Sequence, residues 1–278
     1  MVSQIDNSLI DQGSADPSST SRAPAEVKWA SDEVLVVDGT EFLVFAEADD
    51  YQEQESTASR FVLAKNVGMV NRLVSAVADL APRRIVDLGI YKGGSTALLA
   101  ALARPIKLTA IDVVPERLAA LDQFIAAWRL ADVVRAHYGV DQGDSDRLAA
   151  LLEEDHGGKA LDLVVDDASH LLRETRTAFE QLFGRLRPGG RYIIEDWGWA
   201  HFPEPLWQDG GGWFHDRPAL TNLIVELLMI AATGPGLVSK ITVLRDTVTV
   251  ERGLLTVPGP LCLEDHYCNR GLPFRPLL

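Results

Sequence analysis

Cysteine is scarce in this chain of 278 residues: Cys262 and Cys268 are the two present, close together near the C-terminus. That argues against a disulfide framework, and a two-cysteine metal site would need further ligands that the sequence does not identify. A reducing, cytoplasmic setting is therefore the expectation. Positive charge is also short. Lys and Arg number 26 against 40 Asp and Glu, for a formal net charge of −14. Such a balance argues against nucleic acid or an anionic membrane surface as the natural partner. No apolar run approaches the roughly 20 residues of a membrane helix, and no basic segment followed by an apolar stretch opens the chain.

Several familiar signatures are missing too. The segment Gly89-Ile90-Tyr91-Lys92-Gly93-Gly94-Ser95 lacks the Gly-Lys-Ser/Thr of a phosphate-binding nucleotidase loop. It also lacks a dinucleotide fingerprint, because Tyr91 stands where the second glycine belongs. No set of two histidines and a carboxylate reads as an iron triad, and no internal repeat emerges beyond strand–helix alternation. At 47% hydrophobic residues, the chain is nevertheless able to bury a full core as one domain with a small appendage.

What is present follows a rhythm. Residues 1–28 are rich in Ser, Asp, Pro and Ala and are expected to form a disordered arm. Residues 29–59 read as a short hairpin or cap, with Asp38-Gly39-Thr40 between two apolar strands. From 60 to 278 a single α/β domain is expected. Residues 60–80 carry an apolar face of helical spacing that ends at Pro82. Strands follow at Arg84–Gly89, Lys107–Asp112, Val133–Tyr138, Leu161–Asp166 and Arg191–Asp196. Helices are expected from Ser95, from Pro115 to Trp128, from Ser145 and from Thr175 to Leu186. Pro218–Thr233 reads as a further helix, and Val238–Leu244 and Thr247–Glu251 as a closing strand pair. Strands recurring between helices predict a mostly parallel sheet covered on both faces. Residues 197–218 break the rhythm with Trp197, Trp199, Trp207 and Trp213, and form either a lid or a plug into the core. His201 and His215 in this stretch are secondary base candidates.

Two groups of residues carry chemistry. Asp87, Gly89, Tyr91, Gly93 and Ser95 surround a strand exit and helix start, where backbone N–H groups approach a ligand closely. Tight packing explains a glycine turn as well. Asp112 ends the next strand, where a carboxylate accepts two ribose hydroxyls; a helix-leading acid is the alternative. Asp141 and Gln142, after the third strand, reach an adenine or make a simple turn. The second group is acidic. Asp166-Asp167-Ala168-Ser169-His170 and Glu195-Asp196-Trp197 end adjacent strands. Carboxylates converging there repel one another unless a cation is present. Oxygen donors without a nearby cysteine favour Mg²⁺, with Mn²⁺ as a substitute. The assignment is Asp167, Glu195 and Asp196 as metal ligands, and His170 as a base at the rim. Asp166 should point elsewhere, as a supporting or cofactor-side residue.

With these motifs in place, residues about 60–252 resemble class I S-adenosylmethionine methyltransferases. The second half is similar to the metal-dependent O-methyltransferases of macrolide and antibiotic deoxysugars, the macrocin and mycinamicin group, and to their rhamnosyl and cephalosporin hydroxylase-like relatives. The resemblance implies a Rossmann-like, mostly parallel seven-stranded sheet with an antiparallel C-terminal strand. It places the cofactor at Asp87, Gly89, Gly93 and Asp112, Mg²⁺ at Asp167, Glu195 and Asp196, and the general base at His170. Val140 interrupts the family's Gly-Asp-Gln segment. The implied reaction is methyl transfer to a hydroxyl of a deoxysugar or glycosylated natural product, a diol-bearing small molecule, by a homo-oligomeric enzyme. A catechol-type enzyme and a non-catalytic cofactor-binding protein on the same fold are the alternatives. The group's larger members carry a long N-terminal region, and here the 30–58 region is expected to provide a different cover.

Overall fold

Four short strands lead the chain: β1 (Val27–Ser31), β2 (Val34–Val37), β3 (Thr40–Val44) and β4 (Arg60–Leu63). The computed structural model describes residues 24–45, 51–208 and 216–276. The expectation of a disordered arm therefore lies almost wholly outside the described residues, as do Trp213 and His215. Strands β2 and β3 form the hairpin that Asp38-Gly39 predicts, both turn residues adopting positive φ (47° and 85°). Strand β1 adds antiparallel to β2, and β4 adds parallel to β3.

The single helix expected over residues 60–80 is not formed. Residues 60–63 are strand β4, and helix α1 starts at Val67 and runs to Leu80. Phe61, Val62 and Leu63 are all buried, so their spacing carries no polar face to distinguish strand from helix. Asn66 marks the true start, its side chain accepting a hydrogen bond from Met69 N at 3.0 Å. The helix stops at Ala81, left-handed at φ 44°, just before Pro82.

The alternation then proceeds through β5 (Arg84–Leu88), α2 (Gly94–Ala103), β6 (Lys107–Asp112), α3 (Ala119–Ala127), β7 (Val134–Tyr138) and α4 (Ser145–His156). It continues through β8 (Leu161–Asp166), α5 (Leu172–Leu182), β9 (Leu186–Glu195), the short α6 (Pro205–Gln208), α7 (Thr221–Thr233), β10 (Val238–Val243) and β11 (Thr247–Arg252). Helix α3 is shorter than its apolar pattern suggests, α5 begins before Thr175, at Leu172, and ends at Leu182, and β9 takes in Pro188-Gly189-Gly190, which reads in the sequence as a turn before it.

The seven later strands form one sheet in the order β10-β11-β9-β8-β5-β6-β7. Strands β5 to β9 run parallel, whereas β11 pairs antiparallel with both β9 and β10. Side-chain alternation splits the core in two. Val86, Leu88, Val164, Tyr192 and Ile194 pack under α4, α5 and α7. Ile85, Leu108, Leu163, Val165 and Ile193 pack on the opposite face, with α1, α2, α3 and the inner side of the small N-terminal sheet. That small sheet is therefore part of the main core.

The chain leaves β5 towards β6 on one side and later returns to place β8 on the other. A crevice opens outside the carboxyl ends of strands at such a reversal. Gly89 makes the approach possible there. Its φ is 97°, and a Cβ would lie 2.2 Å from the Asp167 carbonyl oxygen.

Candidate functional site

A cavity of about 910 Å³ occupies this crevice. Its walls include Gly89 and Tyr91 after β5, Asp112 at the end of β6, Asp141 and Gln142 after β7, and Asp167 and His170 after β8. The volume lies in the usual range for small-molecule and cofactor sites. Seven of the residues singled out in the sequence thus share one space.

Asp112 organises the loop side. One carboxylate oxygen accepts hydrogen bonds from Ile90 N and Tyr91 N, each at 2.8 Å, and the other accepts from Val114 N at 2.8 Å. A carboxylate has about four lone-pair positions, so acceptor capacity remains on the cavity side. Tyr91 is held at φ 45°, a conformation uncommon outside glycine. Lys92 ties this loop to the N-terminal region, its Nζ donating to the carbonyls of Tyr51 and Gln52 at 3.2 and 2.8 Å. Gln142 is buried with its amide 2.9 Å from Ser169 Oγ, which links the segment after β7 to the one after β8.

Other sequence candidates sit behind the wall. Asp87 is fully buried and accepts from Ser95 Oγ at 3.0 Å and Thr96 Oγ1 at 2.6 Å, at the start of α2. Burial raises its carboxyl to about 6 despite these donors. Asp87, Ser95 and Gly93 are not among the residues lining the cavity. Asp166 is not either. It faces the α5 side, accepts from Tyr192 Oη at 2.6 Å, and is pushed up to about 7 by burial. The sequence expectation that Asp166 and Asp167 diverge follows from strand alternation.

The same alternation decides the acidic side. Glu195 shares the parity of Ile193 and so projects towards the face carrying β4 and α1, which Asp167 also meets. There the structure supplies a residue that the sequence reading missed: Lys65, on the link between β4 and α1. Its side chain is 2% exposed and pairs with Asp167 Oδ2 at 2.6 Å and with Glu195 Oε2. Burial opposes the ammonium, but the charges of Asp167 and Glu195 prevail and raise its pKa. Reading 60–80 as one amphipathic helix hid this residue, and its partners lie 102 and 130 positions away in sequence.

Of the three acids assigned to a metal, Asp167 and Asp196 stand together with His170, and Glu195 faces Asp167 across Lys65 Nζ. Donor atoms of Asp167, His170 and Asp196 lie within 4.8 Å of one another, whereas Glu195 is engaged by Lys65. Burial pushes Asp196 to about 7, aided by the charges of Asp167 and Asp246. Asp196 is held in place by its own N–H, which donates to the Asp246 carbonyl at 2.9 Å. Asp246 in turn pairs with Arg72 at 2.5 Å. Burial lowers the pKa of His170, outweighing the favourable charge of Asp167. His170 and Asp196 both adopt positive φ, 55° and 53°. Together with Tyr91, three residues around the crevice hold strained backbone, a feature that concentrates at functional sites.

Aromatic rings close the outer side. The Trp199 ring centroid lies 4.1 Å from that of His170 and 4.9 Å from that of Trp207. Trp199 and Trp207 line the main cavity and also a neighbouring one of about 330 Å³ with His201, Trp197 and Arg217. Trp197 donates from Nε1 to the Leu244 carbonyl at 2.8 Å, which anchors the start of this excursion to the sheet. No described helix is long and apolar enough to cross a membrane.

Comparison with known proteins adds a resemblance over part of the chain. Residues 86–197, from β5 to the end of the acidic segment after β9, match the model described as a methyltransferase domain. Mycinamicin VI 2''-O-methyltransferase of Micromonospora griseorubida is 41% identical over 63 residues, 23% of this chain and 15% of that protein. The 8-demethyl-8-(2-methoxy-alpha-L-rhamnosyl)-tetracenomycin-C 3'-O-methyltransferase of Streptomyces olivaceus is 33% identical over 129 residues, 44% of this chain and 30% of that protein. The matches thus span less than a third of these relatives. Among solved structures, the MycE methyltransferase from the mycinamycin biosynthetic pathway, in complex with Mg, SAH and mycinamycin VI, aligns at 22% identity with a TM-score of 0.48. That alignment covers 66% of this chain and 49% of that one. The matched segment, residues 86–197, is thus similar to a methyltransferase domain, and it lies on a Rossmann-like, mostly parallel seven-stranded sheet.

Proposed function

We propose that the protein transfers a methyl group from S-adenosylmethionine to a hydroxyl of a glycosylated natural product, with a divalent cation, Mg²⁺ or Mn²⁺, in the acidic site. The observation that carries this reading is one crevice holding Asp112 on its loop side and Asp167 with His170 on its acidic side. Its relatives' names point to sugar hydroxyls of antibiotics as the acceptor class.

Asp112 would receive the ribose hydroxyls, while Tyr91, Asp141 and Gln142 bound the space around the nucleoside. The donor set suits a cation: the Asp167 and Asp196 carboxylates are hard ligands that converge beside an imidazole, and they would hold it. When bound, the cofactor supplies the electrophilic methyl group and the cation lowers the acceptor hydroxyl's pKa and fixes its direction. His170, kept neutral by burial, takes the hydroxyl proton on a ring nitrogen. Trp199 holds that ring from the side, and Trp199 with Trp207 keeps water from the acceptor.

The direct test is incubation of the purified protein with methyl-labelled cofactor and a panel of glycosides bearing vicinal hydroxyls, with Mg²⁺ or with chelator. Labelled methyl ether should form on at least one glycoside in Mg²⁺ and fall away in chelator. Absence of transfer to every glycoside, in a sample that binds the cofactor, would overturn the acceptor assignment.

A further inference from the structure

The smaller cavity of about 330 Å³ shares a wall with the main one, made by His170, Trp199, Trp207 and Arg217. A molecule reacting at His170 can therefore extend into either space. The two spaces differ in chemistry. The main cavity presents Asp112, Gln142 and Asp167, side chains that pair with hydroxyls. Among the described residues, no carboxylate or amide side chain lines the smaller one. Three indoles line it instead, those of Trp197, Trp199 and Trp207, over a floor of buried Ala219 and Leu220. Its histidine, His201, is engaged already, with Nε2 2.5 Å from Thr221 Oγ1 at the start of α7. Hydroxyl groups find few partners here, whereas an apolar ring finds three aromatic faces.

These walls are held by the protein's own contacts. Trp197 is anchored through Leu244 to the end of β10. The turn Trp199–His201 closes where Phe202 N donates to the Trp199 carbonyl at 3.1 Å. Gln208 Nε2 donates back to the carbonyls of Ala200 and Phe202 at 3.0 and 2.7 Å. Phe202 meets Trp207 edge-on with ring centroids 6.3 Å apart, and the Arg245 guanidinium covers Phe202 at 5.4 Å from its centroid. Rings held in this way lose little freedom when a ligand docks on them.

Resting on the methyltransferase reading above, we propose that the smaller cavity receives the aglycone of the acceptor and selects a compact, flat aryl group, with Trp207 as a specificity-determining residue. The sugar stays at the polar junction with its reacting hydroxyl at His170. The aryl ring packs offset or edge-on against the indoles, the arrangements that aromatic pairs favour. A space of about 330 Å³ lies at the low end for small-molecule sites and suits one or two fused rings better than an extended macrocycle.

The test is calorimetric titration of the full chain in Mg²⁺ with 2-naphthyl α-L-rhamnopyranoside and with methyl α-L-rhamnopyranoside, which carry the same sugar. Wild type should bind the naphthyl glycoside at least about tenfold more tightly, because a bicyclic face is buried against indoles. W207A should reduce that preference to about threefold or less. W207F, which keeps an aromatic face, should retain most of it. A thermal melt on each variant shows that it is folded. Equal binding of the two glycosides by wild type, or no binding of either, would overturn the inference, as would an undiminished preference in W207A. Each titration is run with and without S-adenosylhomocysteine, whose own binding to wild type is measured first. A protein that binds S-adenosylhomocysteine but shows no aryl preference loses this inference alone. Aryl preference without any S-adenosylhomocysteine binding would instead remove the methyltransferase reading.

Discussion

Replacing His170 by alanine should lower turnover by roughly 10²–10⁴-fold, the usual contribution of a positioned general base, while cofactor affinity stays near that of the wild type. The reason lies in its surroundings. The imidazole packs at a tilt against Trp199 and lies beside the Asp167 and Asp196 carboxylates, with its pKa lowered by burial. It is therefore neutral at pH 7 and able to take a proton. The sign of the pH dependence follows. Activity should be retained at neutral pH and fall on the acid side, below the ordinary histidine value of about 6.5, as the ring becomes protonated. The His170→Ala protein should lose that acid limb together with the rate. Rates measured from pH 5 to 9 at saturating cofactor decide the point. A variant that keeps both turnover and the acid limb removes His170 from proton transfer.

Asp167→Asn should be nearly as damaging, for a different reason. Asp167 is the residue at which the two halves of the acidic site meet: one carboxylate oxygen lies 2.6 Å from Lys65 Nζ, and the residue also clusters with His170 and Asp196. The amide keeps the shape but removes the charge. Divalent-ion affinity should fall by about 10²-fold or more, a loss at or beyond the upper end of that caused by changing a residue that merely supports a ligand. Turnover at fixed Mg²⁺ should fall with it, and raising Mg²⁺ should restore part of the rate. Lys65 retains Glu195 as a partner, so the fold should survive, and a thermal melt on the same sample checks this. Unchanged Mg²⁺ dependence together with unchanged turnover would contradict the placement of the ion.

Much of the scaffold was readable from local pattern. The strands at Lys107–Asp112 and Leu161–Asp166 appear with the boundaries their apolar runs suggest, because each is bounded by polar or turn residues. The convergence of Gly89, Asp112, Asp167 and His170 followed from all four lying at strand exits, which a parallel sheet brings to one edge. Two kinds of information were not local. Direction of a side chain depends on which face of the sheet it meets, and so Asp87 and Asp166 turn into the core against Thr96 and Tyr192. Lys65 was invisible because nothing near it in sequence marks a buried ammonium. Its partners follow it by more than a hundred residues, and the apolar triplet before it reads equally as strand or helix.

The account stands first on the crevice being a cofactor site, and calorimetric titration of S-adenosylmethionine tests that directly. Wild-type protein and Asp112→Ala are to be compared, each shown to be folded. The expected result is micromolar binding to the wild type and at least about tenfold weaker binding to the variant, since a charged acceptor facing the ribose is lost and such a hydrogen bond contributes about 1.5–3 kcal/mol. No detectable binding by folded wild type would contradict the methyltransferase reading, and equal binding by both proteins would displace the ribose from Asp112.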